Sequence, residues 1–196
     1  NTAAILVESI GGVAYVQGDV LLLAALASSS AAGYYSLGTM VVWSLAALGQ
    51  MYGYTFHESL RRAGGRRTAG PPLAVGLVLA TFMSVCMLIG GVGLMLLGAD
   101  RAFWLIFLLL APVAFLGTLS SMSSVGLIMQ HRDRFRMVVT ILCVTLKLAL
   151  IAAVSSRHGG PGAAVAFIIS DILMASAYTW AVFSGPGYTY REPVEP

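Results

Sequence analysis

No Asp, Glu, Lys or Arg occurs between Asp19 and Glu58, between Arg67 and Asp100, or between Arg101 and Arg132. Each gap is longer than the roughly 20 residues an apolar helix needs to cross a bilayer core. The rest of the chain agrees. Of 196 residues 58% are apolar and 10% charged, and the mean hydropathy is +0.87, whereas a soluble domain carries about a quarter charged residues. A soluble single core, a disordered chain and a nucleic-acid binder are excluded. The pI of about 9.1 comes from arginines in short connections rather than along one helix face. The expected fold class is all-α: a polytopic transmembrane helical bundle.

Gly, Pro and Arg punctuate the apolar runs into about six spans. The sequence predicts them at about 3–27, 33–56, 71–97, 102–129, 137–154 and 162–184, followed by a polar tail over 185–196. Ser28-Ser29-Ser30 closes the first span, and Pro71-Pro72 opens the third, proline being tolerated in a helix's first turn. Eight arginines (61, 62, 66, 67, 132, 134, 136 and 191) fall after even-numbered spans, against Arg101 and Arg157 after odd ones. The excess of positive charge on cytoplasmic loops then places both chain ends in the cytoplasm of a plasma membrane. Cys86 and Cys143 lie inside apolar runs, so no disulfide is expected. The chain opens at Asn1 without a basic stretch and cleavage site, which reads as a segment of a longer protein rather than a signal peptide. Gly49 and Gly53 form a GxxxG step, and Gly90, Gly91 and Gly93 crowd one span. Such residues let helix backbones approach closely, for static packing or for sliding.

Four ionisable residues stand inside the apolar runs: Glu8, Asp19, Lys147 and Asp171. Each costs about 2.5–3.5 kcal/mol at a helix centre on insertion scales, so such groups face a bundle interior or a watered cavity. Asp19 precedes Ser28 by nine residues, Lys147 precedes Ser156 by nine, and Asp171 follows Gly162 by nine. At 1.5 Å per residue the three share a level about 13 Å below one surface. Glu8 lies nearer the opposite side. Two readings stay open. A Lys147–Asp171 pair could lock the fifth and sixth spans together, or Asp19, Asp171 and Lys147 line a wet cavity where a carboxylate takes a proton or Na⁺ and the lysine an anionic group. Tyr34, Tyr35, Tyr52, Tyr54, Trp43, Trp104 and Trp180 are scattered; those at span ends read as aromatic-belt residues, with Tyr52 and Tyr54 as alternatives for sugar contact. His57, His131 and His158 show no metal-ligand spacing. No metal, cofactor or catalytic motif is present, and the arginine-rich connections hold only Asp133 as a general acid or base. An enzyme is not expected.

The order of motifs resembles the polysaccharide-transporter (Wzx-like) branch of the MOP flippase superfamily. The features are Asp19 followed by Leu21-Leu22-Leu23, then Ala32-Gly33-Tyr34-Tyr35-Ser36, then Gly159-Gly160-Pro161-Gly162-Ala163-Ala164-Val165-Ala166 with Ser170 beyond. The likeness spans 12–184. It implies one six-helix lobe over 1–184, the second half of a twelve- to fourteen-span protein with a cytoplasmic tail. It further implies a carrier that moves lipid-linked oligosaccharide across the cytoplasmic membrane by alternating access, coupled to an ion gradient, with a second lobe and lipids as partners. Asp19 falls on the family's acidic first-span position, Gly33 and Tyr35 on its loop-to-helix start, and Gly159, Gly162 and Ala163 on its last turn. The chain departs from the pattern at Gln17, where the family carries arginine, and in lacking proline over 54–58. Lys147, or a residue of the second lobe, would then supply the cation for a pyrophosphate. Two other functions fit the same residues: a MATE-like cation antiporter, and a non-transporting scaffold that binds a glycosyltransferase through its arginines.

Overall fold

The computed structural model describes residues 17–63 and 70–184; Glu8, the start of the first span and the tail lie outside them. The described residues are helical, without strands. The helices are α1 (Gln17–Leu26), α2 (Ser29–Thr55), α3 (His57–Arg62), α4 (Leu73–Leu96), α5 (Arg101–Met129) and α6 (Asp133–Ser184). By length and composition α2, α4, α5 and α6 could each cross a membrane.

Local chemistry sets the boundaries. α2 begins four residues earlier than expected because Ser28 caps it, its hydroxyl accepting from Ala31 N at 3.2 Å. An N-cap oxygen satisfies a donor the helix leaves open. Asp100 caps α5 in the same way, accepting from Ala102 N at 2.8 Å. α4 stops where Gly98 enters the left-handed region at φ 73°. There Ala99 N bonds Leu94 O and Gly98 N bonds Met95 O, the paired bonds of a Schellman C-terminus. His131, at φ 54°, ends α5 likewise, with Arg132 N on Leu127 O and His131 N on Ile128 O.

The expected fifth and sixth spans are parts of one element. α6 runs 52 residues, and a straight helix of that length would be about 78 Å, far beyond a hydrocarbon core of about 30 Å. It breaks at Gly159, at φ 55° and ψ −138°, two residues before Pro161. Glycine enters this region at no steric cost. The limbs 133–158 and 160–184 then fold back on each other. Tyr178 Oη and Thr140 Oγ1 are 2.7 Å apart, and Arg132 donates to Ala181 O at 2.8 Å.

Close approaches fix the helix directions. Gly38 faces Leu110, Gly49 faces Thr118 and Gly53 faces Val125, so α2 and α5 run parallel. Gly76 faces Met122 and Gly91 faces Leu108, so α4 runs against α5. Gly160 meets Ile106 and Gly126 meets Val182, so the second limb of α6 follows α5. Both glycines of the GxxxG step therefore serve close packing on α5, which forms the centre of the bundle between α2, α4 and α6. Leu97, Leu96, Val78, Leu21, Trp180 and Ile89 are among the side chains that point outward. An apolar surface this continuous is a liability in water and fits lipid.

α3, expected only as a basic connection, is a short helix that buries Leu60 and exposes Arg61 and Arg62. Glu58 receives two bonds from Arg61 at 2.9 Å and one from Arg62 at 2.7 Å. These bonds lower its pKa from 4.5 to about 2. A carboxyl whose pKa falls on folding stabilises the fold fully above pH 4.5 and loses that contribution as pH drops through about 2. The energy is small, because exposed ion pairs are screened. A carboxyl-carbon NMR titration should therefore place Glu58 near pH 2; a midpoint near 4.5 would show that the arginine fork does not form.

Candidate functional site

Three helices bring buried polar groups to one point. Asp19 of α1, Tyr35 of α2, and Lys147 and Asp171 from the two limbs of α6 are each at most 1% exposed. Lys147 Nζ lies 3.0 Å from Asp19 Oδ2, which also accepts from the Tyr35 hydroxyl at 2.9 Å. Asp19 Oδ1 accepts from Val20 N. The Lys147 ammonium sits 4.3 Å from the centroid of the Phe167 ring. A desolvated cation over such a ring gains about 2 kcal/mol. Asp171 sits beside Gly117, where a Cβ would stand 4.0 Å from its Oδ2.

The common level inferred from residue spacing thus corresponds to a real cluster, with two corrections. Lys147 makes its ion pair with Asp19, not Asp171, so the pair joins α1 to α6 rather than the two limbs of α6. The cluster is also closed, not the lining of a wet vestibule: Leu23, Ile151 and Phe167 are fully buried in the core that surrounds it. Lys147 is consequently out of reach of an anionic substrate in this conformation. Glu8 lies outside the described residues.

Tyr35, read as an aromatic-belt residue, is a fully buried member of the cluster. The signal was available: it follows Ser28 by seven residues, close to the level at which Asp19 precedes it. Phe167 carried no such signal.

A proton on Asp19 would cancel its attraction for Lys147, and in a low-dielectric interior that change is large. The arrangement can therefore take up a proton and change how tightly α1 is held to α6. Among the described residues no three His, Cys, Asp or Glu side chains gather as a metal site. Cys86 and Cys143 are free thiols, as expected.

Beside the cluster runs a lateral groove of about 570 Å³ between α1 and α2, bordered by Gln17, Ser36, Thr39, Met40, Trp43 and Ser44. Its size falls within the usual range for small-molecule pockets. The hydroxyls of Ser36, Thr39 and Ser44 donate to Gly33 O, Ser36 O and Met40 O of their own helix. That leaves their oxygens as acceptors toward the groove. Tyr52 and Tyr54, the alternatives for sugar contact, are not among the residues that line it.

The two ends of the bundle differ in charge. Arg61, Arg62, Arg132, Arg134 and Arg136 lie at the end carrying α3 and the α5–α6 turn, while Arg101 and Arg157 lie at the other. Arg132 and Gln130 donate to the last carbonyls of α6 there, at Ala181 and Val182. The chain matches no known protein family, no curated protein and no solved structure.

Proposed function

We propose that the chain is one lobe of a membrane carrier that flips a lipid-linked oligosaccharide across the cytoplasmic membrane by alternating access. The observation that carries this reading is the Asp19–Lys147 pair, with Tyr35 and Asp171, placed at mid-span directly beside the α1–α2 groove. Intramembrane charge mates are costly and mark functional sites by default. In this reading the lobe has six crossings, counting α1 and the two limbs of α6 beside α2, α4 and α5. The arginine-rich end then faces the cytoplasm. The substrate class comes from the motif resemblance alone.

In this account the charge cluster controls the carrier rather than binding its cargo. Protonating Asp19 cancels its attraction for Lys147 and loosens α1 from α6. A proton on Asp171 removes a negative charge acting on Lys147 and leaves the pair intact. Each state favours a different placement of α1 and α2, and the proton shifts the population between them. The groove offers the passage, and a second lobe completes it.

The test is Asp171→Asn in vesicles, following the accessibility of a fluorescent lipid-linked glycan. Transport should fall at least tenfold while the protein stays folded. Unchanged transport would remove Asp171 from the mechanism. Organic-cation uptake should be absent; its presence would favour a MATE-like antiporter.

The closure of the cluster favours a second reading. A dry ion pair suits a rigid scaffold, which would dock a glycosyltransferase through its arginines. Changing Arg61, Arg62, Arg66 and Arg67 to Ala would then abolish partner co-purification and leave glycan movement untouched.

A further inference from the structure

Phe167 stands between the groove and the charge cluster. Its ring is fully buried. On one side it carries the Lys147 ammonium at 4.3 Å. It also meets the Trp43 ring at 6.0 Å between centroids, tilted by 37°, within the range of a favourable aromatic pair. Trp43 borders the groove, and Lys147 holds Asp19. The contacts thus run without a gap from the groove through Trp43, Phe167 and Lys147 to Asp19 and Tyr35.

We propose that Phe167 is a positioning residue that couples occupancy of the groove to the Lys147–Asp19 pair, and that the occupant is an uncharged saccharide ring stacked on Trp43. The indole offers a flat negative face to the C–H bonds of a sugar. Gln17 supplies amide donors and acceptors, and Ser36 and Ser44 supply hydroxyl oxygens. A ring pressed on Trp43 tilts Phe167, and the ammonium moves with the face that holds it. The coupling is reciprocal, so a change at Asp19 must be felt at Trp43. The saccharide assignment rests on the carrier reading; the relay rests on the contacts alone.

The full chain in nanodiscs, with Trp104→Phe and Trp180→Phe, leaves Trp43 as the one tryptophan. Asp19→Asn should shift its emission maximum, and adding Phe167→Leu should abolish that shift. A Trp43 emission blind to Asp19→Asn, or a shift that survives Phe167→Leu, overturns the relay. If Asp19→Asn does not fold, Lys147→Arg, which keeps the charge and moves it, must give a shift with the same dependence on Phe167. Maltotriose should protect Trp43 from acrylamide quenching, with an apparent affinity changed about fivefold or more by Asp19→Asn. No protection by maltotriose overturns the saccharide assignment. A relay that responds in a protein unable to move glycan leaves the coupling standing and removes the carrier reading.

Discussion

Lys147→Met should destabilise the protein by about 3–5 kcal/mol, the usual cost of removing one partner from a buried ion pair. The variant leaves Asp19 in a closed interior without its cation. Asp19→Asn should cost less. It keeps the Tyr35 hydroxyl bonded, and Lys147 still has Asp171 nearby, one of the charges acting on it. The double variant Asp19→Asn/Lys147→Met should recover most of the loss, because exchanging a whole buried pair for neutral groups is often nearly free. Denaturant unfolding in detergent micelles measures all three. Additive losses in the double variant would show that the two residues do not interact.

The second large effect concerns the contact of α2 with α5. Gly49→Val should cost about 2–3 kcal/mol, at the upper end of overpacking penalties. A Cβ at Gly49 would stand 2.6 Å from Thr118 O and 3.1 Å from Thr118 Cα, so backbone has to move rather than a flexible side chain. Gly93→Ala provides the contrast, since a Cβ there meets nothing within 4 Å. It should be neutral or mildly stabilising, as alanine in place of glycine inside a helix usually is. Thermal unfolding of the two variants in one detergent checks the pair. Equal stability would mean that α2 and α5 do not approach as described.

The membrane-like helices were legible because charge is nearly absent over long stretches, a signal no local packing can reverse. The ends of α4 and α5, at Leu96 and Met129, fell within a residue of the expected 97 and 129. The hairpin in α6 was legible as two spans but not as one helix, because a single glycine turns the chain while helical geometry resumes on both sides. α3 was missed because six residues show no period; its helicity follows from Leu60 docking and the Glu58 fork. Residue spacing placed Asp19, Lys147 and Asp171 at one height; the structure pairs Asp19 with Lys147 and sets Asp171 close enough to act on that lysine. Spacing could not choose the mate of Lys147, since height along a helix says nothing about which face each neighbour presents. Nor could it show whether the cluster is wet or closed. That depends on Leu23, Ile151 and Phe167 filling the space, and many apolar residues would have looked equally suited to it.

The account holds that the buried charges do more than tie helices together. The double variant Asp19→Asn/Lys147→Met separates these roles, because it exchanges the charged pair for neutral groups and keeps the packing. Reconstituted into vesicles with a fluorescent prenyl-pyrophosphate glycan, it should fold with near-parental stability and move the glycan at least tenfold more slowly. A stable double variant that moves glycan at the parental rate would contradict the account and reduce the cluster to a structural tie.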